Sequence, residues 1–171
     1  GDKKHIAVLK TDGLVILDGS NGKTLAFTKW ETSYRTNAST PIIKGDKIFI
    51  STGYRRGCAL FQWDGQSLRK IYENKNLSTH MNHAILVEDY LYGFDGNVHM
   101  AGSKDFVCIQ FSSGKEQWRI SDRGLQVGSL IVAGDRMIIL GQRGEGVIAR
   151  VNPKKFDVLN REQIIGGKTW T

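Results

Sequence analysis

The chain has 171 residues, of which 24 are Lys or Arg and 17 are Asp or Glu, so its formal net charge is +7. An apolar content of 40% and a charged content of 24% are those of a globular protein with a sizeable core, which excludes a disordered chain. No apolar stretch approaches the ~20 residues that cross a bilayer, so we expect no membrane span. The basic residues are scattered, which argues against dedicated nucleic-acid binding.

The first predicted unit, residues 1–31, consists of short strands joined by turns. Its strand-like segments are Ile6–Leu9, Leu14–Leu17 and Thr24–Trp30. The second turn contains Asn21-Gly22, and this pair tolerates the positive φ values of tight hairpins. We therefore expect an antiparallel sheet at the start of the chain.

Three further units repeat one pattern, in which an apolar pair, a turn with aspartate and an apolar strand follow one another. The shared aspartates are Asp46, Asp89 and Asp135, which stand 43 and 46 residues apart. A four-stranded propeller blade takes roughly 40–45 residues. The sequence therefore predicts an all-β fold, a β-propeller of four-stranded antiparallel blades with about four blades present.

The predicted blades divide the chain as a single propeller segment, residues 1–171. The blades are residues 1–31, 32–77, 78–124 and 125–160, and residues 161–171 begin the next unit. The first blade lacks its opening strand. The stretch Lys154–Gln163 is the segment in which we expect a short turn of helix.

The cysteines and tryptophans are interpreted as packing residues. Cys58 and Cys108 lie in strand-like runs without metal-binding spacing, which favours buried free thiols, although a disulfide between neighbouring blades stays open. The tryptophans stand mostly at strand ends, where a large indole packs well between blades. They are Trp30, Trp63, Trp118 and Trp170.

Two segments, Asp18–Lys23 and Ser112–Trp118, resemble the PQQ-like β-propeller repeat, a quinoprotein-like and WD40-like fold. Further segments resemble a bacterial group of PQQ-like repeat proteins without an assigned activity: Asn37–Ile42, Ser51–Cys58, Tyr92–Gly96 and Trp170-Thr171. The resemblance implies a single ring of seven or eight blades, of which this chain is an incomplete part. It also implies an extracytoplasmic location, periplasmic or secreted.

Some members of that family are quinoprotein dehydrogenases, but the residues favour a different function. Such enzymes place calcium ligands and a catalytic Asp around the ring axis, often with adjacent cysteines. Here the cysteines are isolated and no acidic cluster has calcium-ligand spacing. We expect no catalytic residues, metal or cofactor, with PQQ and calcium as the alternative.

Antiparallel connectivity predicts where a binding site lies. The loop after the last strand of a blade and the loop between its second and third strands emerge on the same face, and loops on a rigid frame usually carry function. Polar and aromatic residues gather in these loops. The candidate ligand-binding residues are Tyr34, Asn37, Tyr54, Arg55, His80, Asn82 and His83.

Simpler roles for these residues stay open. His80 and His83 suit backbone capping better than a metal site, which needs a third ligand. Arg55 and Arg56 suit either a bound carboxylate or phosphate or a solvated loop. Asn37 and Asn82 also fit turn stabilisation.

The function favoured by the sequence is a non-catalytic scaffold that binds a protein, peptide or carbohydrate on this face. The alternative is part of a PQQ- or metal-dependent oxidoreductase whose remaining site residues lie outside the chain. Self-association of two copies to close a ring is a third hypothesis, because an open array of blades leaves its ends uncovered.

Overall fold

The computed structural model describes residues 4–102 and 104–169. Within these ranges the chain forms fifteen β-strands and no α-helix. None of the described residues belongs to a helix with the length and apolar character of a membrane span. The strands form four antiparallel sheets, here called sheets I to IV, in chain order.

Each sheet uses consecutive strands, so every connection within a sheet is a hairpin. Sheet I contains β1 (His5–Lys10), β2 (Gly13–Asp18) and β3 (Thr24–Lys29). Sheet II contains β4 (Ile42–Lys44), β5 (Lys47–Thr52), β6 (Gly57–Trp63) and β7 (Leu68–Asn74). Sheet III contains β8 (Ile85–Val87), β9 (Tyr90–Asp95), β10 (Asp105–Gln110) and β11 (Glu116–Ser121). Sheet IV contains β12 (Ser129–Ala133), β13 (Arg136–Leu140), β14 (Glu145–Arg150) and β15 (Asp157–Gln163).

A register shift recurs between the last two strands of every sheet. The shifts fall at Ile16/Leu17, Leu60/Phe61, Cys108/Ile109 and Ile148/Ala149. A bulge of this kind bends a strand and increases its twist. Its position shows that β2 and β3 correspond to the last two strands of the other sheets. Among the described residues, sheet I therefore has no counterpart of their opening strand, as predicted.

The expected helix within Lys154–Gln163 is wrong. Asp157–Gln163 is strand β15, paired with β14 from Glu145↔Gln163 to Arg150↔Asp157. The ladder satisfies the backbone groups of β14 that would otherwise be open at that edge, and this tertiary pairing overrides weak local helix propensity. Residues 161–163 therefore belong to sheet IV. Trp170 and Thr171 lie outside the described residues.

The core consists of three layers, one between each pair of consecutive sheets. Alternate residues of strand β6 pack into two different core layers. Cys58 and Leu60 pack towards sheet III, whereas Ala59 and Phe61 pack towards sheet I. Both faces of an inner blade are therefore buried, which explains the near-continuous apolar runs in its sequence.

Three tryptophans connect neighbouring sheets, as predicted. The indole N–H of Trp30 donates to Thr52 Oγ1 at 2.9 Å. The indole N–H groups of Trp63 and Trp118 donate to His5 Nδ1 and to the Asn152 carbonyl, each at 3.0 Å. The prediction of free buried thiols is also confirmed, and burial raises the pKa of both Cys58 and Cys108 to about 12.

The repeated aspartates have a structural role in the turns between the first two strands of sheets II, III and IV. The backbone carbonyl of Asp46 accepts a hydrogen bond from the Trp63 N–H at 2.8 Å. The carbonyls of the other two accept bonds from the residues that follow the third strand: Asp89 from Phe111 at 2.7 Å, and Asp135 from Val151 at 2.9 Å. Each turn is thereby tied to the end of the third strand.

Candidate functional site

The long loops lie on one side of the sheets, here called the loop face. It is formed by residues 30–41, 53–56, 75–84 and 96–102, together with 104, 122–128 and 141–144. Hydrogen bonds link these loops across sheets. The Tyr54 backbone N–H donates to Asn97 Oδ1 at 2.8 Å, and that of Ser78 donates to Asp95 Oδ1 at 2.7 Å. Segments distant in sequence thus form one continuous surface.

A cleft of about 580 Å³ opens between these loops, and we call it the tyrosine cleft. Its lining includes Tyr34, Tyr54, Arg55, Lys75, Asn97 and Met100. The size is that of a small-ligand or peptide side-chain site. Three of the seven predicted binding residues therefore line one cleft.

Two tyrosines form the aromatic wall of this cleft. The rings of Tyr34 and Tyr54 lie 4.6 Å apart between centroids, and Tyr34 is 65% exposed. Behind them, the Tyr54 hydroxyl lies 3.2 Å from Nε2 of the buried His80. Burial, helped by the nearby His99, lowers the pKa of His80, so its imidazole is neutral at neutral pH. His80 is thus a buried residue that holds the Tyr54 side chain in place, and it does not face solvent.

The backbone is strained beside the tyrosine pair. Arg35, Tyr54 and Arg55 have φ values of 54°, 58° and 55°, in the left-handed region that favours glycine. Turn bonds hold this geometry, including Arg35 N–H to the Thr32 carbonyl at 3.0 Å. Strain of this kind concentrates at binding and catalytic sites.

The two neighbouring arginines have different roles. Arg56 donates to Glu73 Oε1 at 2.6 Å, and its guanidinium carbon lies 3.4 Å from the centre of the Trp30 ring. Arg55 is exposed in the cleft and makes no ion pair with any described residue. Only Arg55 is therefore available to an anionic or polar ligand.

Three further candidates, Asn37, Asn82 and His83, do not line the tyrosine cleft. The Asn37 amide donates to the carbonyls of Lys10 and Trp30 at 2.8 and 2.9 Å, which ties its loop to sheet I. The buried Asn82 amide donates to the Gly128 carbonyl, and His83 is exposed away from the lining.

Sequence reasoning missed Lys75 and Asn97 as lining residues. Asn97 is 7% exposed, and within the described structure its Nδ2 has no hydrogen-bond partner. Asn97 follows Asp95-Gly96, a turn signal directly after an apolar strand. Only its approach to Tyr54, which is remote in sequence, reveals a role in the cleft.

Two carboxylates of sheet III near the loop face, those of Asp95 and Asp105, form ion pairs with one arginine. Arg119 donates to Asp95 Oδ2 at 2.6 Å and to Asp105 Oδ2 at 3.0 Å. Among the described residues no group of three or more His, Cys, Asp or Glu is placed to hold a metal ion.

The fold is similar to those of solved propeller proteins. BamB from Moraxella catarrhalis matches with a TM-score of 0.70 and 16% identity over 98% of this chain and 49% of that chain. The PilY1 C-terminal domain from Pseudomonas aeruginosa matches with a TM-score of 0.62 and 12% identity, over 86% and 38% of the two chains. A europium-containing methanol dehydrogenase gives 0.52 and 10%, over 71% and 23%.

These likenesses, together with the four stacked sheets, show that the chain is a partial β-propeller with about four blades. The chain spans about half of the BamB chain and less of the other two. No protein-family profile matches the sequence, and no curated protein matches it.

Proposed function

We propose that this chain is a non-catalytic propeller scaffold that binds a partner on its loop face, with the tyrosine cleft at the centre of the contact. The observation that supports this most strongly is the pair of tyrosines, Tyr34 and Tyr54, held on strained loops beside Arg55, which forms no ion pair with a described residue. Propellers have many unrelated functions, so the proposal rests on the site rather than on the fold.

The chemistry of the cleft suits a protein or peptide segment. Tyrosine and arginine are the side chains that most often dominate binding energy at protein interfaces. The tyrosine rings offer a flat apolar surface, while Arg55 and Lys75 place positive charge at the rim. A carbohydrate is the alternative ligand, because a sugar ring also stacks on an exposed tyrosine. A partner with a carboxylate next to an apolar group would use both features.

The test compares a phage-displayed peptide library with a glycan array, both probed with the 171-residue chain. The best peptide or glycan is then titrated against Tyr34→Ala and Tyr54→Ala. We expect each variant to weaken binding by about tenfold or more, the usual effect of removing a central aromatic anchor. Tyr34 is mostly exposed, so its variant keeps the fold.

Phe27→Ala is the matched control, since Phe27 is an aromatic residue 48% exposed on sheet I, away from the loop face. It should leave the affinity unchanged. Equal loss in all three variants, or no selected ligand of either kind, would contradict the proposal.

The oxidoreductase alternative and the extracytoplasmic location remain predictions from the resemblance. Because the oxidoreductase alternative places the remaining site residues outside this chain, it is tested by adding PQQ and calcium to the full-length protein and measuring the absorbance of bound quinone and the thermal unfolding midpoint. A saturable change in both would favour the alternative over the scaffold.

A further inference from the structure

The lining of the tyrosine cleft carries more positive than negative charge. Arg55 and Lys75 are exposed in it, and neither forms an ion pair with a described residue. Asp95 is the one acidic side chain among the described lining residues. Its carboxylate is already bonded, since Oδ2 accepts from Arg119 at 2.6 Å and Oδ1 accepts from the Ser78 backbone N–H at 2.7 Å. The cleft therefore favours a ligand that brings a negative charge.

The guanidinium of Arg55 has a defined position in this cleft. Arg55 belongs to the loop between β5 and β6, whereas Gly102 belongs to the loop between β9 and β10. A Cβ placed on Gly102 would lie 3.5 Å from a terminal guanidinium nitrogen of Arg55. The guanidinium thus lies beside the loop of the neighbouring sheet. A cation that is already positioned loses less conformational entropy when a ligand binds to it.

Asn97 adds an unused hydrogen-bond donor to the same lining. It is 7% exposed, and its Oδ1 accepts from the Tyr54 backbone N–H at 2.8 Å. This bond fixes the orientation of the amide and leaves Nδ2 without a hydrogen-bond partner in the described structure. A buried donor without an acceptor costs free energy. A ligand oxygen that reaches the Asn97 side of the cleft would accept from Nδ2 and remove that cost.

The apolar and cationic parts of the cleft are adjacent. Tyr54 and Arg55 are consecutive residues, so their Cα atoms stand about 3.8 Å apart. In an extended peptide, neighbouring side chains point in opposite directions. An internal acidic residue and the apolar residue next to it therefore do not enter one cleft together. The last residue of a peptide, by contrast, carries its carboxylate and its side chain on the same Cα atom.

We propose that the tyrosine cleft binds the free carboxyl end of a peptide or protein whose last residue is apolar, a proposal that rests on the scaffold function of the loop face. The terminal side chain packs on the rings of Tyr34 and Tyr54. The Arg55 guanidinium pairs with the carboxylate, because its N–H donors match the two carboxylate oxygens. The Asn97 amide donates to a ligand oxygen, and Lys75 adds a second positive charge. Capture of a terminal carboxylate is a recurring mode of peptide recognition.

The test uses three pools of N-acetylated hexapeptides of otherwise random sequence. Peptides of the first pool end in leucine, phenylalanine or tryptophan with a free carboxylate, and those of the second are the same peptides with a terminal carboxamide. The third pool has an internal aspartate and a terminal carboxamide. After affinity selection on the chain, the best acid peptide and its own amide are titrated by calorimetry. We expect the acid to bind about tenfold tighter or more, because the amide loses hydrogen bonds to a charged group.

Arg55→Gln identifies the residue that recognises the carboxylate. It should weaken the acid peptide by about tenfold or more and leave the affinity of the amide unchanged, which is the non-additivity expected of groups in contact. Arg55 is exposed, so its variant keeps the fold. The matched control is Arg123→Gln, which removes an exposed arginine of the loop face that does not line the tyrosine cleft. It should change neither affinity.

The outcomes separate this assignment from the scaffold function. Equal binding of acid and amide, or selection from the internal-aspartate pool alone, would overturn the terminal-carboxylate assignment and leave the scaffold function standing, since a peptide is still bound. An equal loss in Arg55→Gln and Arg123→Gln would show general attraction between a basic surface and an anion, which also overturns the assignment. Binding from none of the pools would overturn the assignment together with peptide binding as the scaffold function.

Discussion

At the scale of single residues, Arg119 organises the loop face of sheet III. It bonds Asp95 and Asp105 and also donates to the Asn76 carbonyl at 2.8 Å, in the loop that follows β7. Burial raises the pKa of the Asp95 carboxyl, and the guanidinium opposes that shift. Without Arg119, two carboxylates of low exposure would face each other unpaired.

We therefore expect Arg119→Ala to lower the free energy of unfolding by roughly 3 kcal/mol, as measured by urea denaturation. The matched control is Arg136→Gln, which breaks an exposed pair with Asp135 and should change stability by less than about 0.5 kcal/mol. Similar values for the two variants would show that Arg119 is not a structural clamp.

At the scale of elements, the first residue of β6 must be a glycine because of its backbone conformation and close packing. Gly57 has a φ of +90°, and a Cβ there would lie 2.1 Å from the Asn74 carbonyl oxygen at the end of β7. The close approach joins the loop of Tyr54 and Arg55 to the edge of sheet II. Gly45, in the turn between β4 and β5, has a φ of +60° but open space around the Cβ position.

The two glycines therefore make a matched pair for substitution. Gly45→Ala meets only the left-handed backbone penalty and should cost about 1 kcal/mol of unfolding free energy. Gly57→Ala adds a clash with backbone and should cost more than about 2 kcal/mol. Thermal and urea unfolding of both variants measure this difference, and a smaller loss for Gly57→Ala would refute the close-packing explanation.

At the scale of the whole molecule, the outer faces of the first and last sheets remain apolar and exposed. On sheet IV, Ile131, Ile138 and Ile148 stand opposite one another across three strands, with 61%, 44% and 40% of their surface exposed. On sheet I, Ile6 and Phe27 are 49% and 48% exposed. In sheets II and III, both faces are covered by the neighbouring sheets. An apolar row of this kind is typical of a surface that another protein layer covers.

We accordingly propose that the isolated chain self-associates through these faces. Ile138→Lys places a charge at the centre of the sheet IV row and should lower the average mass at high protein concentration. Light scattering coupled to size-exclusion chromatography measures it. Ile43→Lys is the control, because Ile43 is 55% exposed on β4 but belongs to neither outer face. A monomer at every concentration would refute self-association.

The repeated architecture and the face on which the long loops meet could both be predicted from the residues alone. The spacing of Asp46, Asp89 and Asp135 indicates a repeating unit built of hairpins. In such a unit the chain direction alternates from each strand to the next. The side of the sheet on which each loop emerges follows from that alternation. The burial of both faces of the inner strands could also be predicted, because continuous apolar runs indicate it.

Which residues share a site could not be predicted from the residues alone, because it depends on how the sheets pack. Arg55 and Arg56 are neighbours in sequence, yet one lines the tyrosine cleft and the other stacks on Trp30. Likewise, Lys104 lines the same cleft of the loop face as Arg143 and Lys168, although no local sequence pattern relates them. Hairpin geometry depends on nearby residues and is encoded locally, whereas the position of a side chain in a cleft depends on how separate sheets pack.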